Sequence, residues 1–135
     1  MVVCAIYLAR QGKRVALIDF DLEAPGVSSL LHTKELPRYG VVDFLIESSI
    51  HFDGLETGFN IDEYVYNSSP DLLIGGKSGG EIYVMPAYGS SSEGDLDSYK
   101  RKLLRFDLST PLYNKSETPI DILARMWRIS SLLML

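Results

Sequence analysis

Val15-Ala16-Leu17-Ile18 is the stretch that most limits what this chain can fold into: four consecutive apolar residues between Lys13-Arg14 and Asp19. A strand with one wet face alternates apolar and polar residues. An unbroken apolar run of this length reads instead as a strand buried on both faces, as in a parallel sheet. Residues 1–11 read as a helix with Val2, Ile6 and Ala9 on one face and Val3 beside them. Gly12 supplies its stop, because glycine accepts a left-handed backbone cheaply. Helix, tight turn and buried strand form the second half of a βαβ unit. The expected fold class is therefore α/β, a fragment of a doubly wound, mostly parallel sheet. MVVCAIYL opens at full apolar strength with no helix start signal, so the unit's first strand is expected before Met1.

Further along, Val27–Leu31 reads as a short helical turn and Pro37 as a break. Gly40–Ile50 reads as a helix with Val41, Phe44 and Leu45 on one face, and Ser48 interrupting that face. Residues 51–70 read as connection, with order at 61–66. Strands are expected at Asp71–Ile74 and Ile82–Met85, on either side of GGKSGG at Gly75–Gly80. Residues 86–98 read as loop. Leu96–Phe106 reads as a helix with Tyr99, Leu103 and Phe106 in line. Thr118-Pro119 starts a last helix with Ile120, Leu123, Trp127 and Met134 near one face.

Composition narrows the function classes. The net charge is −5, and residues 39–99 carry 1 basic and 11 acidic side chains, which argues against a general nucleic-acid binder. The acidic middle reads as a solubilising surface. No apolar run approaches the ~20 residues that span a bilayer. Cys4 is the single cysteine. It reads as a small core residue, and its solitude fits a reducing cytoplasmic location. His32 and His51 have no partner at ligand spacing, so no metal site is built on them.

The chemistry is concentrated in GKRVALIDFDLEAPGVSSLL, Gly12–Leu31. A buried strand that ends in Asp-x-Asp delivers carboxylates to its C-terminal edge, where open α/β sheets bind ligands. A carboxylate there can hold a magnesium-bound water or orient an attacking one. By itself the pattern favours the reading in which Asp19 and Asp21 only cap the next turn. Lys100, Arg101, Lys102 and Arg105 read as a solvated helix face. GGKSGG lacks the glycine a phosphate loop needs at position 71, which is Asp71, and strand-like EIYVMP follows it where a helix is required. It reads as a flexible connection between strands.

The Gly12–Leu31 stretch resembles the segment after the P-loop in ParA/MinD-type (deviant Walker, SIMIBI class) P-loop ATPases. DLEAPG is closest to the subgroup whose P-loop reads KGGVGR. Two later blocks in the expected order extend the likeness over about residues 1–115: IYVMPAYG at Ile82–Gly89 and YKRKLLRFDLSTPLY at Tyr99–Tyr113. The resemblance implies an ATP-binding, Mg-dependent ATPase that can act as a homodimer. In it Asp21 is the water-orienting, catalytic carboxylate, and Asp19 supports the magnesium shell through water. Glu23, Pro25 and Gly26 shape the switch loop that senses the γ-phosphate, although Glu23 reads equally well as a solvated loop charge. The family's P-loop would end just before Met1, so no phosphate-binding residue is assigned in this chain. A later family strand carrying an acidic residue is also missing, and ARMWRISSLLML no longer resembles the family. The expectation is an N-terminally cut, partial ATPase domain over residues 1–135, inactive as it stands. The alternative is a non-catalytic interaction or regulatory module that keeps part of the fold.

Overall fold

A computed structural model describes residues 1–31, 35–50, 60–68, 73–92, 96–105 and 133–134. Helix α1 spans Val2–Arg10 and strand β1 spans Arg14–Ile18. Between them Gly12 takes φ 83°, the left-handed backbone expected of it. Its N–H donates to the Ala9 carbonyl at 2.8 Å, closing the helix. Val15, Ala16, Leu17 and Ile18 are all buried. Strand geometry sends alternate side chains to opposite faces, so Val15 and Leu17 join one apolar cluster while Ala16 and Ile18 join another. That division is why the run carries no polar residue.

The strand order is β2 (Tyr66–Asn67), β3 (Glu81–Met85), β1, β4 (Leu133–Met134), a mixed sheet with helices on both faces. Strand β3, Glu81–Met85, pairs parallel with β1 over its whole length, from Arg14↔Glu81 to Ile18↔Met85. On the other side of β1, the two residues of β4, Leu133–Met134, pair parallel with Val15 and Ala16. Met134, expected in a helix, is thus in a strand; residues 106–132 lie outside the described residues. Strand β2, Tyr66–Asn67, forms the antiparallel edge against β3. The preceding strand was expected instead at Asp71–Ile74. Leu73 and Ile74 lie in a turn, with Ile74 72% exposed, and Asp71 and Leu72 fall outside the described residues. Two residues are too few to show a period, so the sequence could not mark β2.

Helix α1 covers one face, with Ala5 and Ala9 fully buried against Val15, Leu17, Ile82 and Val84. The expected face, Val2, Ile6 and Ala9, does pack on this cluster, with Ala5 added to it, while Val3 does not. Val3 is 79% exposed, and Cys4 is exposed and not a core residue. The short helix α2, Val27–Leu30, adds Val27 to the same cluster. Helix α3, Val41–Ile50, covers the opposite face with Val41, Phe44 and Leu45. Ser48, the break in its apolar face, is buried and donates its hydroxyl to the Phe44 carbonyl at 2.6 Å, which satisfies it inside the helix. Helix α4, Leu96–Arg105, packs beside α3. No helix among the described residues is long and apolar enough to cross a membrane.

Candidate functional site: the loop after the central strand

The parallel strands β1 and β3 end side by side at Ile18 and Met85. Asp19 continues β1 by one residue, its N–H donating to the Met85 carbonyl at 3.0 Å. The Asp-x-Asp motif therefore stands at the C-terminal edge of a central, doubly covered parallel strand.

The two aspartates do different things there. Asp19 is 2% exposed. Its Oδ1 accepts the Asp21 N–H at 3.2 Å, and its Oδ2 accepts the N–H groups of Gly26 at 3.2 Å and Val27 at 3.1 Å. A carboxylate has about four acceptor sites, so most of its capacity is spent folding residues 19–27 back on themselves. The first backbone donors of α2 are satisfied in the same way. Asp21 is exposed, with Oδ1 accepting the Ala24 N–H at 3.1 Å. Glu23 is exposed, while Pro25 and Gly26 are half-buried. Gly26 has φ −143° and open space around a hypothetical Cβ, the nearest atom being the Ala24 carbonyl oxygen at 3.8 Å. Its part in the loop is its N–H, which any residue except proline could supply.

Two tyrosines that the sequence marked only as connection or helix face meet this loop. Tyr99, from α4, is 5% exposed and donates its hydroxyl to the Leu22 carbonyl at 2.6 Å. Its ring lies 5.3 Å from that of Tyr88. Burial, then the nearby charge of Asp19, push the Tyr99 phenol up to about 12, so it remains a hydrogen-bond donor at neutral pH. Tyr66, from β2, lies near Asp19 and Ser28. Its hydroxyl is buried without a hydrogen bond of ordinary geometry, with Ser28 and Asp19 as polar neighbours. Burial also raises its phenol. The Y-x-x-K spacing of Tyr99 and Lys102 was a usable signal for α4, but nothing in the sequence near Tyr66 pointed to the loop.

The remaining candidates lie elsewhere. GGKSGG sits at the opposite, N-terminal edge of the sheet, where the Lys77 N–H donates to the Arg10 carbonyl at 2.8 Å and the Glu81 N–H to the Lys13 carbonyl at 3.1 Å. Five strand residues at ~3.3 Å each separate that edge from Asp19, roughly 16 Å. The segment lies between β2 and β3 as expected, and the Lys77 N–H joins it to the C-terminal end of α1. Strand β3 follows it, so a phosphate loop there is excluded. Lys102 does not belong to a solvated face. Its ammonium contacts Asp43 Oδ1 and Ser92 Oγ, each at 2.6 Å. Lys100 and Arg101 are exposed as expected, and the Arg105 side chain lies outside the described residues, as do His32 and His51. No cluster of three or more His, Cys, Asp or Glu able to hold a metal occurs among the described residues.

Compared with protein-family models, curated proteins and solved structures, the chain matches none.

Proposed function

We propose that this chain carries the switch-loop portion of an ATP-binding, Mg-dependent ATPase of the ParA/MinD type, the sheet being part of a doubly wound P-loop NTPase fold. One observation carries the reading: the division of labour between the aspartates. Asp19 is buried and builds the loop, and the loop holds Asp21 out at the C-terminal edge of the strand. Magnesium takes one or two carboxylates together with substrate phosphates and waters, not an all-protein cage. A loop that brings two aspartates to a strand edge fits that habit. Magnesium-bound ATP would supply the electrophilic γ-phosphoryl group. Asp21 would orient the attacking water, Asp19 would support the metal's water shell, and Glu23, Pro25 and Gly26 would form the responsive stretch. A homodimer in the cytoplasm belongs to the same reading.

The phosphate end of the site is not supplied by these residues. The sequence holds no Gly-x-x-x-x-Gly-Lys-Ser/Thr, and its one glycine-rich lysine loop faces the wrong edge of the sheet. Because phosphoryl transfer depends on positioning the phosphates, residues 1–135 by themselves are expected to be inactive. The same observation favours the second reading, an interaction or regulatory module that retains the fold without turnover.

Titration calorimetry with ATP and magnesium separates the outcomes. Residues 1–135 should show no micromolar binding, and fusing a KGGVGR-type strand and loop ahead of Met1 should create it. Micromolar binding by residues 1–135 would refute the assignment of the phosphate site. A fused protein that folds yet stays silent would leave the interaction module as the better account.

A further inference from the structure

The Asp19–Gly26 loop is held from outside as well as from within, and the outer hold runs through one helix. Tyr99 donates to the Leu22 carbonyl at 2.6 Å, at the centre of the loop and next to Asp21. One turn further along α4, Lys102 contacts Asp43 Oδ1 at 2.6 Å, and the same ammonium meets Ser92 Oγ at 2.6 Å. Asp43 is itself committed to the start of α3, its Oδ2 accepting the Gly40 N–H at 3.0 Å in half of a capping box. The Lys102–Asp43 pair is largely sheltered, with side chains 25% and 12% exposed, so it is better defined than a surface ion pair. The chain of contacts is continuous: loop, Tyr99, α4, Lys102, Asp43 and the N-terminus of α3. Asp19 joins the start of the loop to β3 through the Met85 carbonyl, the hydrogen bonds of residues 21–27 to Asp19 and Asp21 are local, and Tyr99 ties the loop's middle to α4.

We propose that Tyr99 is a positioning residue for the Asp19–Gly26 loop, and that α4, anchored on α3 by Lys102, sets where the loop carries Asp21. The consequence for hydrolysis rests on the ATPase reading above. The mechanical claim does not, because it concerns the loop alone. Whatever displaces α4 from α3, such as a partner protein or a second copy, would release the Leu22 carbonyl and shift Asp21 without touching either aspartate.

Residue-resolved amide hydrogen exchange on the full chain, without nucleotide, tests this. Tyr99→Phe keeps the ring beside Tyr88 and removes one hydroxyl. Exchange at the Asp21, Ala24, Gly26 and Val27 amides should rise roughly three- to tenfold, the worth of one hydrogen bond. Leu17 and Val84 in the core should rise by no more than the same factor, since losing a native hydrogen bond also lowers global stability. Lys102→Met, whose partners Asp43 and Ser92 lie outside the loop, should raise exchange in α4 and in the loop together. Unchanged loop exchange in either folded variant overturns the proposal. So does a rise at Leu17 and Val84 that exceeds the loop's, since that reports mainly lost global stability. Should Tyr99→Phe fail to fold, the response to Lys102→Met decides alone. No nucleotide enters the experiment, so failure here leaves the calorimetric result standing, and failure there leaves this one standing.

Discussion

The Asp19 carboxylate accepts the backbone N–H of Val27, eight residues further along the chain, at 3.1 Å, and thereby folds the DFDLEAPG segment into a closed loop. The contact gives the buried aspartate an architectural role, beside the metal-shell role proposed for it, and leaves Asp21 the exposed carboxylate of the pair.

Asp19→Asn should therefore destabilise the fold. The amide keeps one acceptor oxygen but turns an NH2 group toward a backbone donor. Leaving one buried donor unpaired costs about 1–3 kcal/mol. Urea titration should show a lower midpoint with an unchanged slope. A midpoint equal to wild type would mean the loop closes without the carboxylate.

Asp21→Asn should behave differently. Its Oδ1 contact with the Ala24 N–H can be kept by the amide oxygen, so loop geometry and stability should hold. In a protein with a complete phosphate site, single-turnover hydrolysis should fall by roughly a hundredfold or more, the typical contribution of a positioned acid–base group. Nucleotide affinity should hardly change, because the lost interaction belongs mainly to the transition state. Undiminished hydrolysis would reduce Asp21 to a turn-capping residue.

Lys77→Met should change neither nucleotide affinity nor stability. The loop is held through backbone groups, the Lys77 N–H on the Arg10 carbonyl among them, and the side chain is exposed. Surface substitutions of this kind stay within about 0.5 kcal/mol. A large loss of ATP binding in the fused protein would bring GGKSGG back as a phosphate contact.

Stability should fall at alkaline pH. The folded-state value of Tyr99 is raised from 10.0 to about 12, chiefly by burial. A group shifted upward stabilises the fold fully below its unfolded value, and that stability is lost as pH rises through the folded value. Between about pH 10 and about 12 the unfolded chain gives up the proton while the native one keeps it, so the urea midpoint should drop across that window. Burial also raises Tyr64 and Tyr66, which adds to the same trend. Tyr99→Phe should make the drop shallower. An identical drop in the variant would show that Tyr99 titrates alike in both states.

The sequence by itself determined β1, the Gly12 stop and the placing of Asp-x-Asp at a strand edge. These depend on local facts: an apolar run without alternation, one residue free to take positive φ, and charges that end burial. The apolar face of α3 was legible for the same reason, through its spacing. Tertiary structure alone decided where polar side chains went. Tyr99 looked like an apolar helix position, yet its hydroxyl serves a carbonyl 77 residues earlier. Lys102 looked like part of a solvated face, yet its ammonium is drawn to Asp43, 59 residues away. Strand β2 was invisible because its two residues owe their conformation to β3. A side chain's period reports whether it is buried. Which donor meets which acceptor is settled only when the elements pack, because a hydrogen bond needs a partner within about 3 Å and a sequence carries no distances.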